Sequence, residues 1–303
     1  MNNMMQMYHK AVLLKEAVEA LEVKPDGIYV DATFGGGGHS TEILKRLEDG
    51  KLFAFDQDED ALQNLPNDER FTFIPQNFRF MKNFLKAARA VPVNGILADL
   101  GVSSHQFDVA ERGFSTRYNG PLDMRMNRKQ HKTAADIINS YEANELTRIF
   151  KQYADINNAK KLAETIVNAR TNKNINTIEE LKNTIKHIVP KSIENKYLAQ
   201  VFQVLRIEVN DELEALRNLL AQSLDILTPN GRLVILTYHS AEDRMVKNYM
   251  RAGNFEGEIQ KDFFGNPLSP FRLINKKPMV PNKEEIENNH RARSAKMRIA
   301  EKK

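Results

Sequence analysis

Four consecutive glycines, Gly35–Gly38, constrain the fold more than any other feature of the sequence. They follow the short β-branched and aromatic run Ile28–Ala32 and precede the helical pattern Ser40–Leu47. Glycine lets a backbone adopt positive φ and approach a ligand closely. A strand, a glycine-rich loop and a helix in this order are typical of the first ligand-binding crevice of a doubly wound sheet.

The first hundred residues alternate short strand patterns with helical patterns, which predicts a parallel sheet covered on both faces by helices. The predicted strands are Ile28–Ala32, Leu52–Phe55, Phe71–Ile74, Ile96–Leu100, Arg232–Thr237 and, as an edge strand, Lys296–Ile299. The predicted helices of the first half are Ser40–Leu47, Glu59–Leu65 and Met81–Ala90. We therefore predict a Rossmann-like α/β fold.

A long helical segment separates the two groups of strands. From about Thr133 to Ile188 the pattern is helical and predicts no strand, and Thr177 with Glu180 has the spacing of a capping box. One helix from about Tyr197 to Leu227 is predicted to lead back to the sheet. The predicted division is 1–110 for the first part of the core, 111–205 for an all-helical insertion and 206–303 for the second part of the core with a basic tail.

Positive charge is concentrated in two segments of the chain. Residues 111–205 carry 16 Lys and Arg against 10 Asp and Glu, and residues 271–303 carry 10 against 4, so each has a net charge of +6. The rest of the chain has a net charge of −8. This segregation suits a polyanion-binding surface beside a pocket for a neutral or cationic ligand. For the helical segment, the alternative is that its lysines only keep helix surfaces solvated.

Acidic residues end three of the predicted strands. Asp31 ends the first, Asp56 follows the second and Asp99 lies in the fourth. The carboxyl ends of parallel strands meet at one edge of a sheet, so we expect the three carboxylates to share a cleft. They would repel a pyrophosphate and attract a sulfonium and an ammonium, which favours S-adenosylmethionine as the ligand. Asp56 is placed to accept ribose hydroxyls, although an aspartate after a strand is also a common turn residue.

Asp99 is the predicted catalytic residue. An exocyclic amine conjugated to a base ring is a poor nucleophile, because its lone pair is delocalised. A carboxylate that accepts the amine N–H while the lone pair localises would stabilise the cationic transition state.

Six ordered motifs of the chain resemble those of the small-subunit ribosomal RNA methyltransferase H family, also called MraW. They are Phe34–Ser40, Asp99–Ser104, Glu111–Ser115, Pro121–Met126, His239–Arg244 and Arg291–Ser294. The resemblance runs from His9 to the C-terminus. Two departures are His105, where the family usually has proline, and Ala241, where leucine is usual.

The resemblance implies methyl transfer from S-adenosylmethionine to N4 of a cytidine in the decoding region of small-subunit ribosomal RNA. The residues that it implies for cofactor binding are Gly37, Gly38, His39, Asp56, Phe78, Asp99 and Gln106. The implied partner is the small-subunit RNA or the assembled subunit, and a homodimer is left open.

Four further residues are candidate contacts to the RNA. Arg125, Arg291 and Arg293 offer guanidinium groups that match phosphate oxygens. His239 is a candidate contact to the flipped base or its phosphate, and the alternative is a histidine bonded to Glu242 or to backbone. No histidine pair has metal-ligand spacing, so we predict no metal.

The absence of cysteine excludes several chemistries. Without cysteine the chain can hold no Fe–S cluster for radical methylation and no thiolate nucleophile for C5 methylation of a pyrimidine.

The sequence also has no apolar run near the roughly 20 residues of a membrane-spanning helix, and Met1–Tyr8 lacks the apolar core of a signal peptide. We therefore expect a cytoplasmic protein. Two alternatives are an RNA-binding ribosome-assembly factor with a non-catalytic S-adenosylmethionine site, and a nicotinamide-dependent oxidoreductase.

Overall fold

The computed structural model describes residues 11–303 and divides into two units. The first unit joins the residues up to Gly101 with Glu214–Lys303, and the second is Val102–Leu213. The predicted polar start Met1–Tyr8 lies outside the described residues. Among the helices of the described part, none combines the length and the apolar composition that crossing a bilayer requires.

The first unit is built on one sheet, whose strands within residues 11–303 are β1 (Ile28–Asp31), β2 (Lys51–Phe55), β3 (Phe71–Ile74), β4 (Val93–Asp99), β5 (Leu227–Thr237), β6 (Phe271–Leu273) and β7 (Lys296–Lys302). Their order is β3-β2-β1-β4-β5-β7-β6. The first five strands of this order are parallel, whereas β7 is antiparallel to both of its neighbours. The chain order changes direction between β1 and β4, which is the switch point where doubly wound sheets bind ligands.

The α-helices of the described part, in chain order, are α1 (Leu14–Ala20), α2 (Gly38–Leu44), α3 (Met81–Ala87), α4 (Ser104–Asp108), α5 (Ala134–Ser140), α6 (Ala143–Ala154), α7 (Ala159–Arg170), α8 (Ile178–Ile185), α9 (Glu194–Asn210), α10 (Glu212–Ile226), α11 (Ser240–Ala252) and α12 (Lys283–Asn288). Two apolar clusters sandwich the sheet. Val30 faces the cluster that contains Leu219 of α10, and Tyr29 faces the cluster that contains Val18 of α1. Successive β1 side chains point to opposite faces, so this strand is buried on both sides, as a parallel sheet between helices requires.

The predicted Rossmann-like fold is confirmed, and the differences concern individual elements. β7 forms where a strand was predicted, but the prediction that it lies at the edge is wrong, because the three-residue β6 pairs outside it. The single helix predicted from Tyr197 to Leu227 is two helices. Asp211, with φ of 51°, separates α9 from α10, and aspartate tolerates this left-handed conformation better than residues without a short polar side chain. The segment Glu59–Asn64, predicted as helix, is a 3₁₀ helix.

The second unit consists of helices and loops around its own apolar core. Ile149 of α6, Ala163 of α7 and Val201 of α9 are fully buried in this core. The capping box predicted at Thr177 is confirmed, since its side chain accepts from the Glu180 N–H and the Glu180 side chain accepts from the Thr177 N–H. The domain boundaries drawn from the sequence at 111 and 205 lie inside this unit.

Candidate active site

The glycine-rich loop leaves β1 and enters α2 through two residues in left-handed conformation. Gly35 has φ of 51° and Gly37 has φ of 75°. A Cβ on Gly37 would lie 3.0 Å from the Phe34 ring, so conformation and space both demand glycine there. At Gly38 the constraint is space alone, because a Cβ would lie 3.0 Å from that of Ala11.

Asp56 anchors this loop from the end of β2. Its Oδ2 accepts a hydrogen bond of 2.7 Å from the Gly35 N–H, and its Oδ1 accepts one of 2.9 Å from the Asp58 N–H. Burial raises the pKa of Asp56 to about 6, although these backbone hydrogen bonds favour the charged form. Asn64 holds the other side of the loop by donating to the Gly35 carbonyl at 3.0 Å. The carboxylate predicted to take the ribose therefore also fixes the loop beside it.

Asp31 uses both carboxylate oxygens inside the protein. Oδ2 accepts from the Ser40 hydroxyl at 2.7 Å, and Oδ1 accepts from the Thr33 N–H at 3.1 Å. The residue is fully buried, and burial raises its pKa to about 6. Its charge nevertheless raises the pKa of both Asp56 and Asp99, so the three carboxylates lie in one cluster as the sequence predicts. Asp31 acts through its field, since its side chain is fully buried.

Asp99 ends β4 at the centre of the site. Its Oδ1 accepts a hydrogen bond of 2.6 Å from the Tyr238 hydroxyl, and 20% of its side chain is exposed. Burial raises the pKa of Asp99 to about 6, while a protonated His39 and the Tyr238 hydrogen bond lower it and the charges of Asp31 and Glu242 raise it. Asp99 is thus partly exposed, and Tyr238 bonds only one of its two carboxylate oxygens.

His39 presents a second acceptor next to Asp99. Its Nε2 lies 3.2 Å from the Val12 carbonyl, which can only accept, so in the neutral ring Nε2 carries the hydrogen and Nδ1 carries a lone pair. Burial lowers the pKa of His39 and favours this neutral ring. Nδ1 lies 4.0 Å from Asp99 Oδ2. Two acceptors at this spacing fit a ligand with several N–H donors, such as an ammonium group, and the surrounding carboxylates fit its positive charge.

Tyr238 is a site residue that the sequence interpretation missed. It follows β5, whose Leu236 is paired with Asp99 in β4. The aromatic ring lies over Gly101, where an added Cβ would be 3.6 Å from Tyr238 Cδ2. Its place directly after a parallel strand next to β4 was the available clue, but a tyrosine there suggests packing as readily as a hydrogen bond.

His239 begins the capping box of α11. Its Nδ1 accepts from the Glu242 N–H at 3.5 Å, and its Nε2 lies 3.1 Å from Glu242 Oε1. Its side chain is 7% exposed. This is the arrangement that the sequence offered as the alternative to an RNA contact.

Phe78, to which the resemblance assigns the adenine region, follows β3. It begins a short 3₁₀ helix after β3 and packs, half-buried, against the core of the first unit. Asn77 donates to the Gln57 side chain at 2.9 Å, which links this segment to the residue after Asp56. The structure therefore brings Phe78 to the end of the sheet that carries Asp56.

Gln106 belongs to the second unit, where it completes the capping box of α4. Its Oε1 accepts from the Ser103 N–H at 3.0 Å, and its own N–H donates to the Ser103 hydroxyl at 3.2 Å. His105, which replaces the usual proline, is exposed in the first turn of α4, a position that also accommodates proline. The replacement leaves the cap of Gln106 intact.

The candidate RNA-binding arginines differ in their surroundings. Arg125 forms a bidentate pair with Asp123, at 2.8 and 2.6 Å, and donates to two backbone carbonyls of its own loop. These bonds give Arg125 a structural role in ordering the loop. Arg291 is half-buried and Arg293 is exposed, both in the 3₁₀ helix His290–Ser294 before β7.

Comparison with known proteins places these features in a family. The model described as the MraW methylase family matches residues 6–303. A protein of Parabacteroides distasonis named ribosomal RNA small subunit methyltransferase H is 56% identical over 297 residues, which are 97% of each chain. One of Phocaeicola vulgatus with the same name is 54% identical over 303 residues, the full length of both. A crystal structure of an rRNA methylase from Streptococcus thermophilus is 13% identical, with a TM-score of 0.44 over 97% of each chain.

Proposed function

Because the chain belongs to the MraW methylase family, we propose that it transfers a methyl group from S-adenosylmethionine to the N4 amine of a cytidine in the decoding region of small-subunit ribosomal RNA. Its cofactor is S-adenosylmethionine, and methylation of small-subunit ribosomal RNA follows from the family and from full-length relatives at 54–57% identity. The cytidine, the N4 atom and the decoding region are the finer part of the proposal.

The observation that carries the proposal is the carboxylate cluster. Asp31, Asp56 and Asp99 end three adjacent parallel strands beside a glycine loop, and burial raises the pKa of each to about 6. Such a cluster gains from a cationic ligand and repels a pyrophosphate. It therefore supports a sulfonium cofactor and argues against a nicotinamide-dependent oxidoreductase.

We assign cofactor binding to residues that surround this cluster in the first unit, namely Gly37, Gly38, His39, Asp56, Phe78 and Asp99. The resemblance alone implies Gln106 as a further cofactor-binding residue. Asp56 suits the ribose, because each of its oxygens keeps a lone pair beyond the backbone N–H that it accepts. His39 and Asp99 suit the ammonium of the methionine end, because their acceptor atoms lie 4.0 Å apart.

Asp99 is also our candidate for holding the target amine. The cofactor, when bound, supplies an electrophilic methyl group on a positively charged sulfur. Tyr238 occupies Asp99 Oδ1, so Oδ2 is the oxygen that remains for the ligand or for the amine N–H. An ionised Oδ2 would stabilise the positive charge that develops on the amine nitrogen. The two roles are separable, since loss of the first raises the KM for the cofactor and loss of the second lowers kcat.

The basic segments supply the RNA-binding surface in this proposal. Removing the target base from its stack takes a few kcal/mol, and phosphate contacts offset that free energy. Residues 111–205 and 271–303 each carry a net charge of +6. Since Arg125 and His239 have partners within the protein, we give the exposed Arg293 the larger part in phosphate binding.

The test is a methylation assay with label on the transferred methyl group. Purified protein, S-adenosylmethionine and unmodified small subunits are incubated, and the labelled nucleotide is identified by mass spectrometry. We expect N4-methylcytidine in the decoding region, and label on another atom or in another region would refute the finer proposal. An Asp99→Ala variant that binds RNA and rescues a deletion strain without restoring methylation would instead support the assembly factor.

A further inference from the structure

Tyr238 has no role of its own in the cofactor and RNA assignments made above, although its contact with Asp99 leaves Oδ2 to the ligand. The Tyr238 hydroxyl donates to Asp99 Oδ1 at 2.6 Å, a short distance of the kind found when the acceptor is charged. Asp99 ends β4 and Tyr238 follows β5, so the bond joins the carboxyl ends of two neighbouring parallel strands.

The backbone of Tyr238 is fixed independently of this bond. Its N–H donates at 2.9 Å to Oε2 of Glu242, the residue that closes the capping box of α11. Glu242 is 2% exposed, so this anchor is part of the folded core of the first unit. The phenol is therefore presented to Asp99 by a rigid strand end and a helix start.

We propose that Tyr238 is a positioning residue for the cofactor site, which orients the Asp99 carboxylate and keeps it charged so that Oδ2 faces the ligand. The inference rests on the proposed function for the role of Asp99 toward the cofactor. Rotation of a carboxylate about its Cβ–Cγ bond is soft, so an aspartate without a fixed partner has no defined oxygen to offer. The Tyr238 hydroxyl removes this freedom by taking Oδ1.

The charges around Asp99 show why such a donor is needed. His39 on α2 favours the carboxylate only when its ring is protonated, whereas Asp31 at the end of β1 and Glu242 on α11 disfavour it, and burial disfavours it more than any of these charges. The pKa of Asp99 is already raised to about 6 with the Tyr238 hydrogen bond in place. Loss of that bond raises the pKa further, toward neutrality.

The experiment measures the affinity for S-adenosylmethionine by calorimetry from pH 5.5 to 8.0, with no RNA present. Affinity falls as the pH is lowered, and in Tyr238→Phe we expect the midpoint of this fall to lie about one pH unit higher than in wild type. Loss of a hydrogen bond to a charged group raises the pKa of that group by roughly this amount. Affinity would then fall about three- to fivefold further below wild type near pH 6 than at pH 8, where a loss that remains measures the orienting role of the hydroxyl.

Two further variants separate positioning from packing. Tyr249→Phe removes the hydroxyl of another buried tyrosine of the first unit, which packs against Phe255 and Phe271, and should keep the wild-type pH profile. In an Asp99→Asn background, Tyr238→Phe should not shift the profile. A wild-type profile in Tyr238→Phe, or an equal loss of affinity at every pH, would overturn the inference.

The binding titration is independent of the proposed reaction. If wild-type protein labels no cytidine N4 while Tyr238→Phe still shifts the profile, the finer proposed function fails and the positioning role stands. If N4-methylcytidine forms and the profile does not shift, the proposed function stands and the positioning role of Tyr238 fails.

Discussion

Replacing Asp99 with asparagine should raise the free energy of unfolding while it impairs the proposed functions of Asp99 in the active site. The carboxylate lies in a site where burial opposes its charge, and its pKa of about 6 is well above the ordinary value of 3.8. A group whose pKa is raised on folding favours the folded state when it is protonated, and its ionised form lowers the free energy of unfolding. Asparagine keeps a carbonyl oxygen for the Tyr238 hydroxyl and carries no charge.

The expected gain depends on pH. Since one pKa unit corresponds to about 1.4 kcal/mol, the raised pKa makes ionised Asp99 destabilising by about 3 kcal/mol at pH 8, where both states are ionised. At pH 5 the folded state still holds its proton and the unfolded state has lost most of it, so the gain falls to about half. Below about pH 3 the gain should nearly vanish, because both states are then protonated.

Urea unfolding of the ligand-free protein at pH 5 and pH 8 measures this gain. The control is Asp243→Asn, because Asp243 pairs with Arg298 at 2.7 Å and with Lys296 at 3.3 Å, and these cations outweigh burial and lower its pKa. That variant should be less stable than wild type at pH 8. If Asp99→Asn is also less stable than wild type at pH 8, or gains equally at both pH values, the electrostatic reasoning is wrong.

Three more outcomes test separate parts of the structure. Gly37→Ala should lower the free energy of unfolding by about 1–2 kcal/mol in a urea titration, because φ is 75° there, and should weaken S-adenosylmethionine binding in calorimetry. Thr177→Ala should lower it by about 1 kcal/mol through loss of the α8 cap and leave cofactor affinity unchanged. Arg293→Ala should weaken RNA binding and reduce the slope of log affinity against log salt by about one, and an unchanged slope would remove Arg293 from the phosphate contacts.

Strand ends were the feature that the sequence predicted best. The pattern at Phe71–Ile74 matches β3 at both ends, because a short run of β-branched and aromatic residues between polar turns leaves little choice of boundary. The acids at the ends of β1, β2 and β4 were found for the same reason, and parallel pairing alone brings them together. β6 was missed because three residues give too short a pattern to distinguish a strand from a loop.

Side-chain partners were predicted less well, because they depend on which strands become neighbours. Asp31 and Asp56 have equivalent positions at the ends of their strands, yet their partners differ. Asp31 accepts a hydrogen bond from the Ser40 hydroxyl, whereas Asp56 accepts one from the Gly35 N–H in the glycine-rich loop. Arg125 resembles a phosphate ligand in sequence, and its pair with Asp123 is visible only in the folded loop. Tyr238 and Asp99 are 139 positions apart, so no local sequence pattern predicts their contact.

The proposed cofactor site has an arrangement of carboxylates that lowers the stability of the protein when no cation is bound. Three carboxylates whose pKa values are raised to about 6 oppose folding at neutral pH, and hydrogen bonds from Ser40 and from the Gly35 N–H offset this only in part. A cationic ligand reverses the sign, because its charge favours the ionised form of every member of the cluster. The Tyr238 hydrogen bond has a different effect, since it selects which oxygen of Asp99 meets that charge. Two separate parts of the first unit therefore act at this site. The negative charge of the cluster provides affinity for the cation, and Tyr238, which follows β5, orients the carboxylate of Asp99.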